Sequence, residues 1–115
     1  MDEENALKLS TVFGAGVAST GKELCGAVSG ALIAISVHHG RGDLQAIDAM
    51  TKTYELGRQF MTEFESRIES CTCETILGPN IGSAQNLAKA QEMKLFETRC
   101  VDVVITASDI LDGIL

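Results

Sequence analysis

Four cysteines, Cys25, Cys71, Cys73 and Cys100, are the side chains of this sequence best suited to chemistry. A thiolate attacks disulfides and binds soft metals, so the useful question is what would ionise each thiol. Cys25, Cys73 and Cys100 fall at or near expected helix starts. There, partial positive charge and free N–H groups favour the thiolate. This placement points to redox chemistry, with Cys25 as a low-pKa thiol and Cys73 or Cys100 as its resolving partner. It also suits metal binding, with Cys25, Cys71, Cys73 and Cys100 as ligands of an iron–sulfur cluster, zinc or copper(I). A third reading makes the cysteines small buried hydrophobes in a non-catalytic helical interaction protein.

Spacing adds a constraint. Cys71-Thr72-Cys73 is not a CxxC motif, and on a helix its two side chains diverge. One of the pair should therefore bond elsewhere, and no zinc-site pattern fits the spacing. His38 and His39 sit where a helix should end, a position in which histidine bonds free carbonyls. Glu63, Glu65 and Glu69 read as a solvated face. Gly14-Ala15-Gly16 follows a helix rather than a strand, which argues against a phosphate loop. Gly14, Gly16 and Gly26 are the candidates for close backbone approach to a cofactor.

The elements that must position these residues read as helices. The first expected helix runs from about Glu3 to Phe13, with Asp2 to Glu4 suiting its N-terminus. A Gly-, Ser- and Thr-rich loop, Gly14 to Gly21, follows. The second helix spans about Lys22 to His39 and stops at Gly40-Arg41-Gly42. It is apolar nearly all round, which marks it as the central buried helix. Gly26, Gly30 and Ala34 lie four apart on it, as tight helix packing would require. The third helix runs from about Asp43 to Glu69, with Ile47, Met50, Tyr54, Phe60, Met61, Phe64 and Ile68 at three- and four-residue steps. Gly57 inside it marks a helix crossing. The stretch from Cys71 onward, through Cys73, reads as a short helical turn ended by Gly78-Pro79. A fourth helix covers Ser83 to Leu95. A fifth runs from Cys100 to Asp112 with Val101, Val104, Ile105, Ile110 and Leu111 inward. No stretch alternates as a strand would. The fold class is all-α, a small orthogonal bundle of about five helices around a buried central helix.

The 115 residues, 45% of them hydrophobic, suit one domain, residues 1–115, with a core of its own. The formal charge of −7 repels nucleic acid and anionic lipid, so neither is expected as a partner. The beginning MDEENALKLS is acidic where a secretory leader would be basic. The longest apolar stretch, Leu24 to Val37, is broken by Gly and Ser and too short to span a bilayer. A cytoplasmic location is expected, where cysteines are more often catalytic or metal-binding than structural.

Four segments, in order, resemble one known family. They are Phe13-Gly14-Ala15-Gly16, Cys25-Gly26-Ala27-Val28-Ser29-Gly30-Ala31-Leu32, Cys73-Glu74-Thr75-Ile76-Leu77-Gly78, and Phe96-Glu97-Thr98-Arg99-Cys100 with the apolar helix after it. Together they are similar to the redox-active protein family named for its C_GCAxxG_C_C cysteine pattern. The resemblance covers nearly the whole chain. It implies a small helical redox protein in which Cys25, Cys73 and Cys100 are the family's cysteines. A redox partner protein or a small thiol or disulfide would be its partner, and related domains bind iron–sulfur clusters. The family's further cysteine, in a helix upstream of the FGGG-like turn, has no counterpart here. Either that segment is missing or Cys71 supplies the thiol. Apolar surface left bare by a missing helix favours self-association, so a homo-oligomer, a dimer, is expected.

Overall fold

The computed structural model describes residues 2–77, 83–95 and 97–115. Among the described residues it holds six α-helices: α1 (Glu3–Ser10), α2 (Gly26–His39), α3 (Ile47–Ile68), α4 (Cys73–Leu77), α5 (Ala84–Glu92) and α6 (Arg99–Ile114). The expected all-α bundle is thus what forms, with the short turn at Cys73 as a helix in its own right. The Gly78-Pro79 stop and Phe96 lie outside the described residues.

Local chemistry explains where these helices begin and end. Asp2 caps α1 by accepting a hydrogen bond from the Asn5 N–H at 2.8 Å. The expected first helix then tightens into a 3₁₀ turn, Thr11–Phe13. Helix α3 starts four residues later than its periodicity implies. The Asp43 carboxylate takes the Gln45 N–H at 2.8 Å and holds a turn there instead. It ends on Glu69 in the left-handed conformation, φ 82°. Ser83 caps α5 by accepting from the Asn86 N–H at 3.3 Å.

The core is the seam where α2, α3 and α6 meet. Val28, Ala31 and Ile35 of α2 pack with Leu56, Phe60, Phe64 and Ile68 of α3 and Val103, Ala107 and Ile110 of α6. Phe60 and Phe64 stack with ring centroids 5.8 Å apart. Helix α2 crosses α3 at Gly57, where a Cβ would lie 3.5 Å from Leu32. That is the crossing Gly57 marks in the sequence. Two expectations need correction. The inward face of α6 is Val103, Ala107 and Ile110, while Val101, Val104 and Ile105 are exposed. In a helix apolar on several sides, periodicity alone does not choose which stripe faces the core. Gly30 is exposed, and a Cβ there would meet nothing within 4 Å. The small-residue stripe of α2 therefore does not pack tightly, and α2 is central on one side only. Its outer side, with Leu9 and Phe13, lines an open groove of about 420 Å³.

Candidate functional site

Cys25 does not sit inside a helix that begins at Lys22. The segment before α2 is extended and pairs with the segment before α4. The Cys25 N–H donates to the Cys71 carbonyl at 2.7 Å, and the Cys73 N–H donates to the Glu23 carbonyl at 2.8 Å. Between these bonds Leu24 and Thr72 face each other as one antiparallel bridge. In such a ribbon alternate residues share a face and opposed residues lie side by side. Cys25, Cys71 and Cys73 therefore fall on one face, and Leu24 and Thr72 on the other.

Cys25 is then the N-cap of α2, and its carbonyl accepts from the Val28 and Ser29 N–H groups at 2.9 and 3.0 Å. Cys73 opens α4, and Cys100 stands in the first turn of α6. These three cysteines line one cavity of about 240 Å³ with Ala15, Gly16, Gly26, Ala27, Ile76, Leu77, Val103 and Val104. No lining residue carries a charge. Of the glycines expected near a cofactor, Gly16 and Gly26 line this cavity. Gly14 does not; it is exposed, with its carbonyl taken by the Ser19 N–H at 3.2 Å.

Gly16 closes the cavity against Cys73. Its φ is +73°, and a Cβ on it would lie 2.8 Å from the Cys73 Cβ and 2.9 Å from the Gly21 Cα. The rest of the loop is not an open glycine-rich strap. Ala15, Val17, Ala18 and Ser19 all have positive φ, between 51° and 67°. This is a left-handed turn, which L-residues adopt at a cost of about 1–2 kcal/mol each. Hydrogen bonds hold it, from the Ala18 N–H to the Val12 carbonyl at 2.6 Å and from the Gly21 N–H to the Ala15 carbonyl at 2.9 Å.

Cys73 and Cys100 are not the ionised thiols that helix starts suggested. Burial pushes Cys73 up to about 11, with the neighbouring Cys25 and Cys100 adding to the rise. Burial likewise raises Cys100, then Cys25 adds to it, against the opposing pull of Arg99. Cys71 is pushed up to about 12 by burial, with Glu65 and Cys25 contributing. Loss of solvation outweighs a helix terminus wherever the thiol is packed against apolar neighbours. Cys71 lines no part of the cavity; its Sγ donates a weak hydrogen bond to the Met61 carbonyl at 3.8 Å, on the core side.

A metal shell was the second use expected of these residues. Among the described residues no group of three or more His, Cys, Asp or Glu side chains is gathered closely enough to hold a metal ion. As placed, the four cysteines do not fit an iron–sulfur cluster or zinc ion held by this chain's own ligands. His38 is occupied by the Ala34 carbonyl at 3.0 Å, as the end of a helix predicts. Glu63 is engaged by Arg67 at 2.9 Å, and Arg67 continues to Asp109 at 2.7 Å. Among the described residues no helix is long and apolar enough to cross a membrane.

Sequence reasoning singled out Cys25, Cys73 and Cys100 but missed the ribbon that brings Cys25 and Cys73 onto one face. A bridge one residue long leaves no alternating pattern to read. The missed lining residues Ile76, Leu77 and Val103 carry no signal of their own, since the cavity exists only after the helices pack.

Compared with known families, residues 1–114 match the model of a family whose description reads "Putative redox-active protein (C_GCAxxG_C_C)". No curated protein and no solved structure gave a match.

Proposed function

Since the chain belongs to the C_GCAxxG_C_C family of redox-active proteins, we propose that it carries out thiol–disulfide exchange on small, uncharged disulfides at Cys25, Cys73 and Cys100. The observation that supports this most is the convergence of three cysteines, from three helix starts, on one uncharged cavity. At about 240 Å³ the cavity is smaller than the roughly 300–1,000 Å³ of sites for drug-sized ligands. It offers no cation to receive a carboxylate, so a charged peptide disulfide is a poor fit.

In the proposed reaction Cys25 gives up its proton to water, and its sulfur attacks one sulfur of the substrate. The substrate S–S bond breaks, and the first half leaves as a thiol after taking up a proton. Cys73 or Cys100 loses its proton and attacks the Cys25 sulfur. An internal disulfide forms and the second half of the substrate leaves as a thiol. Two protein thiols are oxidised and one disulfide is reduced.

The test is reaction of the reduced, air-free protein with 2-hydroxyethyl disulfide and with glutathione disulfide, followed by alkylation and peptide mapping. The neutral reagent should oxidise Cys25 about tenfold faster than the charged one, given the uncharged wall. A folded protein in which Cys25 enters no disulfide with either reagent would refute the proposal.

A further inference from the structure

One buried thiol has no part in that reaction. Cys71 is 3% exposed and shares the core cluster with Cys25, and it lines no part of the cavity. The ribbon sets the two directly opposite each other, joined by the 2.7 Å bond from the Cys25 N–H to the Cys71 carbonyl. Directly opposed residues of antiparallel segments stand about 4.5–5.5 Å apart at their Cα atoms. That is inside the range of about 4.4–6.8 Å that a disulfide spans. Of the four cysteines, Cys25 alone belongs both to the core cluster with Cys71 and to the cavity wall with Cys73 and Cys100.

We propose that Cys71 is a second resolving cysteine, which takes the disulfide from the cavity into the core by bonding to Cys25. This rests on the thiol–disulfide reading above and deepens it. The first reaction leaves Cys25 bonded to Cys73 or Cys100. The Cys71 thiol then loses its proton, and its sulfur attacks the Cys25 sulfur from the core side. The Cys25–Cys71 bond forms as the bond to the cavity cysteine breaks. The released sulfur takes up a proton and is a free thiol again. No oxidant is needed, because the exchange conserves both electrons and protons.

Burial of Cys71 in the core favours the inward direction, since a disulfide there is out of reach of external thiols. The exchange also returns the cavity cysteine to its thiol form.

The experiment is stepwise oxidation of the full chain with 2-hydroxyethyl disulfide, quenched with acid and mapped by mass spectrometry. One equivalent should first link Cys25 to Cys73 or Cys100, and then yield a Cys25–Cys71 bridge with the cavity thiols free. In Cys71→Ala the cavity disulfide should persist, and a bulky phosphine should reduce it about tenfold faster than the wild-type bridge, since access governs the rate. Wild-type mapping alone decides the case if that variant does not fold. A cavity disulfide that persists in wild type, with Cys71 reduced, overturns this inference and leaves the thiol-exchange reading standing. A Cys25 that never enters a disulfide overturns both.

Discussion

The two faces of the short ribbon joining residues 23–25 to 71–73 differ in what they can do, although both are apolar. One face carries Cys25, Cys71 and Cys73; of these Cys25 and Cys73 line an uncharged cavity, and Cys71 packs into the core. The other carries Leu24, which lines the open groove with Leu9, Phe13, Leu32 and Ile33. Thr72 beside it is occupied within its own turn, with Ser70 at 3.1 Å and Thr75 at 3.0 Å. Register alone separates them, because a slip of one residue would exchange the two faces. The placement of Cys25, Cys71 and Cys73 is therefore set by a pairing of two backbone segments rather than by any one helix.

The largest test of that division is Cys25→Ser. It should slow disulfide formation by 2-hydroxyethyl disulfide by about a hundredfold or more, because the thiol shared by both proposed pairs is gone. Any remaining reaction should be confined to Cys73 and Cys100. The cysteine face should next show a steep pH dependence. With Cys73 raised to about 11, only about one molecule in ten thousand carries its thiolate at pH 7. Alkylation of Cys73 by iodoacetamide should climb about tenfold per pH unit towards pH 11 while the fold holds. Stability moves the opposite way. The unfolded chain releases thiol protons near 9.0, whereas folded Cys73 and Cys71 keep theirs to about 11 and about 12. The folded state binds more protons in that window, so stability falls as pH rises from about 9 to 12. Urea unfolding at several alkaline pH values reads this directly.

Two glycines on the same cavity wall sharpen the contrast by packing. Gly16→Ala would place a methyl 2.8 Å from the Cys73 Cβ at a positive φ, and should cost about 2–3 kcal/mol of stability. Gly26→Ala meets the Phe13 carbonyl at 3.6 Å and the Gly14 Cα at 3.9 Å, both ordinary contacts, and should be neutral or stabilising by up to about 1 kcal/mol. On the other face, Leu24→Ala should cost about 1–2 kcal/mol, since this side chain is half-buried against the groove. It should leave the oxidation rate of Cys25 unchanged. A loss of thiol reactivity in that variant would show that the faces are not independent.

The sequence makes the helices legible and the ribbon illegible, for one physical reason. A helix repeats its signal over several turns, so the steps Phe60, Phe64 and Ile68 identify α3 and its buried face together. The bridge at Leu24 and Thr72 repeats nothing. Its consequence, that α2 begins at Gly26 rather than near Lys22, depends on a partner far away along the chain. The same reason explains α6. Val101, Val104 and Ile105 make as good an apolar stripe as Val103, Ala107 and Ile110, and only the position of α2 and α3 selects the second. Motif resemblance singles out Cys25, Cys73 and Cys100, but the protonation of Cys73 and Cys100 is not legible. Helix starts argue for thiolates, and burial, which appears only in the packed structure, reverses the argument.

The smallest expected effect lies in the loop that closes the cysteine face. Val17 is β-branched and sits at φ 67°, in a run whose other left-handed residues are Ala15, Gly16, Ala18 and Ser19. Its backbone pays for a conformation that glycine adopts freely, so Val17→Gly removes a native-state strain of about 1–2 kcal/mol. Against this stands the greater freedom of glycine in the unfolded chain, which costs up to about 1 kcal/mol. The half-buried Val17 side chain also gives up some contact. The balance is a gain of about 0.5 kcal/mol, seen as a shift of the urea midpoint with an unchanged slope. The Thr20 N–H bond to the Val17 carbonyl, 3.0 Å long, uses backbone atoms only and survives the substitution. Gly16 keeps its place against Cys73, so the rate of Cys25 oxidation should not move. If Val17→Gly instead destabilises the chain by 1 kcal/mol or more, on the order of an ordinary half-buried valine, then side-chain packing rather than backbone conformation fixes the loop over the thiols.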